Sequence, residues 1–293
     1  GSFYPPPATA LLVALFPDRP GQALGRAGVG AAFGFFIGPM YAGWRADAVG
    51  WRQPCLELAG AGIVAAVLFE AFAREPHDAR HRLARAPEHR SRRAWGTLLA
   101  VGLVAVAFSL RDFGASGVTT LSSLFLQRVH EFNARTTGFY LGLMYLIAML
   151  SNPLLGSMSD RGRFRALGGV VVGAALCAAL VPWLPRSWIW VGLCVYGFLI
   201  LGSFPITEAA LMESVPDALR GRAFGMFITV CGVIASLAHW AMGAAADCIG
   251  PRALTPASFG PWFALLGALI ALGVLGVPAI RWLRGRAAPG GLR

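Results

Sequence analysis

Arg111 and Asp112 stand side by side deep within a run of apolar residues, and Glu208, Asn152 and His239 stand in three others. A charge in hydrocarbon is costly and persists where it faces a partner or a water-filled cavity. These positions therefore point to a polar path or binding site inside an apolar body. One member of Arg111-Asp112 could bind a solute or a proton while the other holds a neighbouring helix. Adjacent residues do not share a helix face, so the two are not expected to pair with each other. The alternative is that both snorkel to an interface: Arg111 lies roughly 24 Å along its run from Trp95 at 1.5 Å per residue. Glu208, shortly after Pro205, is either a protonatable carboxylate or a helix-end anchor. His239 could titrate near neutral pH, although a lone histidine on an apolar helix is more often a hydrogen-bonded packing residue. Asn152-Pro153 either lines a cavity or marks a proline kink whose freed carbonyl is satisfied by Asn152 or Ser151.

No enzymatic constellation accompanies them. The sequence has no HExxH, no GxSxG, no phosphate-binding Gly-Lys-Ser/Thr loop and no lysine for a Schiff base. An enzyme, a bound cofactor and direct ATP coupling are therefore not expected. Cys55, Cys177, Cys194, Cys231 and Cys248 have no CxxC spacing and fall mostly inside apolar runs. They read as small core residues rather than a metal site or disulfide framework.

The elements that must hold these residues are membrane helices. Hydrophobic residues make up 56% of the chain and charged ones 13%, with a mean hydropathy of +0.62. A soluble protein carries about 25% charged residues, so too few are present to cover a water-facing surface. The net charge of +11 does not imply nucleic acid, because every basic residue is arginine and the arginines sit between the apolar runs. The expected partner is a lipid bilayer, and the expected fold is an all-α polytopic membrane bundle of about nine helices. A short run at Phe3–Phe16 comes first. The others are Ala27–Trp44, Pro54–Phe72, Trp95–Phe125, Thr137–Met158, Ala166–Leu184, Trp188–Met212, Ala223–Ala246 and Phe259–Leu283. About 20 apolar residues are needed to span, so the first run is too short. Trp95–Phe125 is long, and Gly114 and Gly117 within it predict a bend or local unwinding.

Assigning alternate loops to opposite sides places eighteen arginines on one side and six on the other, with Arg111 left inside a helix. Positive-inside reasoning puts the richer side, with the C-terminus, in the cytoplasm of a cell inner membrane. The segment from 74 to 94 holds seven arginines with His77, His81 and His89. It reads as a solvated cytoplasmic linker, a metal or lipid head-group role being the lesser alternative. It divides the chain into 1–73, a bundle at 95–286 and a tail at 287–293.

Three motifs refine this. The first is Gly25-x8-Gly34-x3-Gly38-Pro39-x2-Ala42-Gly43, which flattens one helix face for close approach and lets Pro39 bend it. The second is Gly156-Ser-Met-Ser-Asp160-Arg161-Gly162-Arg163-Phe-Arg165, and the third runs from Glu208 through Glu213 and Pro216 to Arg220-Gly221-Arg222. The first resembles the fifth-helix motif of the major facilitator superfamily, which is associated mainly with antiporters. The second is similar to the family's cytoplasmic loop between helices eight and nine, one residue short between Arg161 and the glycine. The third looks like the link between helices ten and eleven. The resemblance covers nearly the whole chain from helix four onward. It implies a chain truncated at its N-terminus, holding helices 4–12 of 12, a remainder not expected to transport by itself.

On that resemblance the expected function is alternating-access transport of a small-molecule substrate, with protons as coupling ion and a monomeric chain. Efflux by antiport comes first. Uptake by symport is the alternative, followed by a membrane scaffold or sensor without transport. The candidates for the substrate or proton pathway are Arg111, Asp112, Glu208, His239, Asn152 and Tyr4, the last on helix four, a cavity helix in the family. Gly25, Gly34, Gly38, Pro39 and Gly43 form the helix-packing set, and Gly156, Asp160, Arg161 and Arg163 the cytoplasmic gate. Glu57 is expected to be structural.

Overall fold

The structure is a computed structural model and describes residues 19–72, 92–216, 219–250 and 255–287, together with Leu12 and Phe16. Side chains at 20, 21, 47, 92–94, 159–161, 286 and 287 lie outside that description. The expected first run, Tyr4 within it and the basic segment at 74–91 also fall outside it.

The described residues form helices without strands: α1 (Pro20–Val49), α2 (Arg52–Phe72), α3 (Arg92–Arg128), α4 (Ala134–Leu146), α5 (Ala148–Leu180), α6 (Ile189–Glu213), α7 (Arg220–Ile249), α8 (Pro256–Leu272) and α9 (Gly276–Ala287). Single 3-10 turns follow α5, at Val181–Trp183, and α8, at Gly273–Leu275. Eight segments are long and apolar enough to cross a membrane. α4 runs on through Ile147 into α5 as one span, Ala134–Met158, and a second begins at Gly162. Gly162 takes a non-helical φ of −164° and ψ of 51°, which separates the two.

Helix ends follow local chemistry. Pro20 occupies the first turn of α1, where its missing N–H costs nothing. α1 and α7 stop at Gly50 and Gly250, with φ of 81° and 79° and ψ of 166° and 160°, a backbone region open essentially to glycine alone. Asn133 caps α4 by accepting from the Thr136 N–H at 2.8 Å.

α3 lies along α7 and also meets α8 and α9; α5 packs on α6 and α8; α1 packs on α4 and α5, and α2 on α1. Between the long helices sits an aromatic core in which Phe125 meets Phe259 and Phe263 edge-on, at 5.3 and 5.8 Å between ring centroids. In lipid, helices associate through close packing rather than by escaping water, and the glycines mark where this occurs. A Cβ on Gly138 would lie 2.6 Å from the Pro39 carbonyl oxygen, and one on Gly267 2.7 Å from that of Ala175. The local unwinding expected as one possibility at Gly114 and Gly117 does not occur: α3 is one unbroken helix. Those glycines instead admit α8: a Cβ on Gly114 would lie 2.9 Å from the Leu266 carbonyl oxygen, and Gly117 faces the Leu266 side chain.

Candidate functional site

α1, α3, α4, α5, α6 and α7 enclose a cavity of about 550 Å³. Arg111, Asp112, Asn152, Glu208 and His239 all line it, so five of the six pathway candidates, drawn from four helices, come together. Tyr4 lies outside the described residues. The rest of the wall is largely apolar and aromatic, with Phe35, Tyr145, Tyr196, Phe204 and Phe227 prominent.

Arg111 is fully buried and Asp112 nearly so, which excludes snorkelling to an interface. Contrary to expectation the two pair: Arg111 Nε donates to Asp112 Oδ1 at 2.8 Å. Neighbouring side chains leave a helix in different directions, but the long arginine stem turns its head back far enough to reach the carboxylate. Arg111 Nη1 donates across to α6, to Thr207 Oγ1 at 2.7 Å and Ser203 Oγ at 3.2 Å. The guanidinium lies over the rings of Phe204 and Phe108, at 4.5 and 5.1 Å. Gly273 leaves room for it, since a Cβ there would come within 2.6 Å of the Arg111 Cβ.

Ser203 and Thr207 escaped the reading of the sequence, since single hydroxyls inside an apolar run carry no periodic signal. Their spacing of four, on one helix face, opposite a buried arginine that needs acceptors, was the available clue. Each gives its own proton to the helix, Ser203 to the Ile200 carbonyl at 2.6 Å and Thr207 to that of Ser203 at 2.8 Å. Their lone pairs remain for Arg111.

Glu208, one residue beyond Thr207, is half-buried and makes no hydrogen bond or ion pair with a described residue. It lines the cavity ahead of the end of α6 at Glu213. His239 is exposed, and its Nδ1 lies 2.8 Å from Thr120 Oγ1. The Thr120 hydroxyl donates its single proton to the Ser116 carbonyl at 2.9 Å. The same hydroxyl thus links the His239 ring of α7 to α3. Asn152 is buried and its Oδ1 has no hydrogen-bond partner; Ser151 Oγ and the Tyr196 hydroxyl are likewise unpartnered among the described residues. The capping of the Pro153 kink by Asn152 or Ser151 is not formed. In Cys231, another cavity residue, the thiol is buried and donates to the Ala105 carbonyl at 3.4 Å.

The glycine motif of α1 divides. Gly43 approaches the Ala134 carbonyl oxygen, 2.9 Å from an added Cβ, and Gly25 sits against the Asn152 and Pro153 backbone. Pro39 lies inside α1 and its carbonyl receives Gly138. Gly34 and Gly38 face open space among the described residues, so the close approach expected of them is not made. Of the gate set, Gly156 is buried in α5 and Arg163 pairs with Glu213 at the end of α6. The Asp160 and Arg161 side chains lie outside the described residues. Beyond that pair, Arg220 Nε donates to the Met212 carbonyl at 2.9 Å and ties α7 to α6. Glu57 binds Arg45 and Tyr41, joining α2 to α1.

Among the described residues, no cluster of histidine, cysteine and acidic side chains could hold a metal ion. No curated protein matches the chain. A family model described as Major Facilitator Superfamily matches residues 1–239.

Proposed function

The chain belongs to the Major Facilitator Superfamily and is a multi-pass secondary transporter; on that premise, we propose that it exports a small organic solute in exchange for protons by alternating access. The observation that carries this reading is the convergence of Arg111, Asp112, Asn152, Glu208 and His239 on one amphipathic cavity between helices. Transport needs few polar groups, and they must face such a cavity rather than lipid. Glu208 is the proton site: a carboxylate open to the cavity and without an ion-pair partner among the described residues can take up a proton and release it. Arg111 is its opposite, a fixed charge spent on Asp112, Ser203 and Thr207, and it holds α3 to α6.

In the membrane, the arginine-rich loops and the C-terminus lie on the cytoplasmic side of the inner membrane. The Arg163–Glu213 pair then closes that side by fastening α5 to α6. Rocking of helix groups about the cavity breaks the pair as the path opens inward.

The test is solute flux in proteoliposomes containing the protein expressed from its complete open reading frame. An outside-acid gradient should drive solute out of the vesicles, and Glu208→Gln should remove that response. Accumulation inside the vesicles would identify symport instead. Flux indifferent to the gradient would overturn proton coupling, and absence of flux would favour a scaffold.

A further inference from the structure

The polar lining of the cavity is biased toward hydrogen-bond acceptors. The Thr119 hydroxyl donates to the Ala115 carbonyl at 3.0 Å and so offers only lone pairs. Thr120 likewise donates to the Ser116 carbonyl at 2.9 Å. Asn152 Oδ1 is unpartnered among the described residues but has no exposed surface, so it is not offered to a solute. Glu208 adds a half-buried carboxylate with no ion-pair partner among them.

Arg111 is the cation of the wall, and it is out of reach. It has no exposed surface, and its guanidinium is engaged by Asp112, Ser203 and Thr207 and covered by Phe108 and Phe204. Its Nη2 has no hydrogen-bond partner among the described residues but shares that burial. The tyrosine hydroxyls can donate or accept and do not discriminate between solutes. Among the described residues, a solute entering the cavity thus meets the Glu208 carboxylate, hydroxyl lone pairs and several aromatic faces.

From this we infer that the cavity takes a protonated amine on an aromatic or otherwise apolar body, bound by N–H donation to Glu208. The inference rests on the transporter reading for its purpose and on the lining alone for its chemistry. N–H donors are essential to it. A charge-assisted hydrogen bond to a carboxylate is shorter and stronger than a neutral one. A quaternary ammonium offers charge and cation–π attraction without donors. A carboxylate of equal size meets repulsion from Glu208 and no accessible counter-charge.

Three fluorescent probes sharing one ring system separate these terms: 1-naphthylmethylammonium, its N,N,N-trimethyl analogue and 1-naphthylacetate. Binding to the detergent-purified protein, from its complete open reading frame, is read by fluorescence anisotropy near pH 7.5. Partition into detergent is removed by subtracting protein-free micelles. The primary ammonium should bind about tenfold or more tighter than the carboxylate, with the trimethyl probe about three- to tenfold weaker than the primary one. Glu208→Gln should bring the ammonium and the carboxylate within about twofold of each other. The parent protein alone decides the charge question, so a variant that misfolds does not protect the idea. Carboxylate binding as tight as ammonium overturns it, and so does trimethyl binding as tight as the primary amine. Selective ammonium binding without flux would support this inference and remove the transport reading. Proton-driven flux of another solute without ammonium selectivity would do the reverse.

Discussion

Between Arg52 and Phe72, α2 buries only Pro54 and half-buries only Glu57; Leu56, Ile63, Val67 and Phe72 are all more than 60% exposed. α3, also apolar along most of its length, buries Val101, Val104, Phe108, Val118, Leu121 and Phe125 and carries the Arg111–Asp112 pair to the cavity wall. The difference lies less in hydrophobicity than in what interrupts it. In α2, Gly60 and Gly62 face open space and the carboxylate of Glu57 reaches back to Arg45 and Tyr41 of α1. In α3, Gly114 and Gly117 receive α8, and the arginine reaches Ser203 and Thr207 of α6. Apolar composition sends a helix into the bilayer. The small and polar residues decide which partner it keeps there.

Breaking the α3 side of this contrast should cost most. Arg111→Ala leaves Asp112 buried without its cation, a change that costs about 3–5 kcal/mol in proteins generally and should abolish transport. Unfolding in detergent measures the first effect and proteoliposome flux the second; adding Asp112→Asn should recover part of the stability but not the transport. A variant as stable as the parent would show that the pair does not hold α3 to α6. Next comes close packing. Gly267→Leu forces a side chain against the Ala175 backbone and should cost about 1–3 kcal/mol or more, whereas Gly38→Leu, with open space around it, should stay within about 0.5 kcal/mol of the parent. Equal losses at the two positions would erase the distinction between receiving and open glycines.

On the α2 side the effects shrink. Glu57→Gln removes the ion pair to Arg45, but both side chains keep 27% of their exposure, so the loss in thermal unfolding should be smaller than at Gly267. A larger loss would make that contact the mainstay of α2. The last test uses pH at the loop between α3 and α4. Burial, and to a lesser degree the charge of Arg186, holds the imidazole of His130 below its ordinary pKa of 6.5. The unfolded chain therefore binds the proton more readily than the folded one. This contribution to stability is complete above pH 6.5 and falls as the pH drops through the lowered folded value. His130→Gln should flatten the decline between about pH 7 and 5; an unchanged slope would assign it to other groups.

Much of the fold was legible because membrane helices write themselves as long apolar runs. Each of the eight later runs recurs as a spanning segment that extends past its apolar stretch at one end or both, since helices continue into their polar flanks. Boundaries inside α5 were harder: Gly162 is a break in backbone geometry rather than in composition. In the site, charges and amides stood out against an apolar background, so Arg111, Asp112, Asn152, Glu208 and His239 could be named. Their partners could not. Ser203, Thr207 and Thr120 are ordinary residues of a membrane helix, and only the fold sets them opposite an arginine or an imidazole. Helical periodicity argued against Arg111–Asp112 pairing, because periodicity tracks Cβ directions and ignores the reach of a long side chain. Glycine spacing identified a flat face on α1 without saying that only part of it would meet a neighbour.

Cys231 gives the cavity a clock of its own. Its thiol is hidden in the wall with its proton on the Ala105 carbonyl, while Cys55 and Cys248 are exposed. In detergent, an alkylating reagent should therefore consume the two outer thiols first and reach Cys231 only when the helices part. The lag between those reactions reports how often the cavity opens, and a bound solute lengthens it, with no label introduced into the chain.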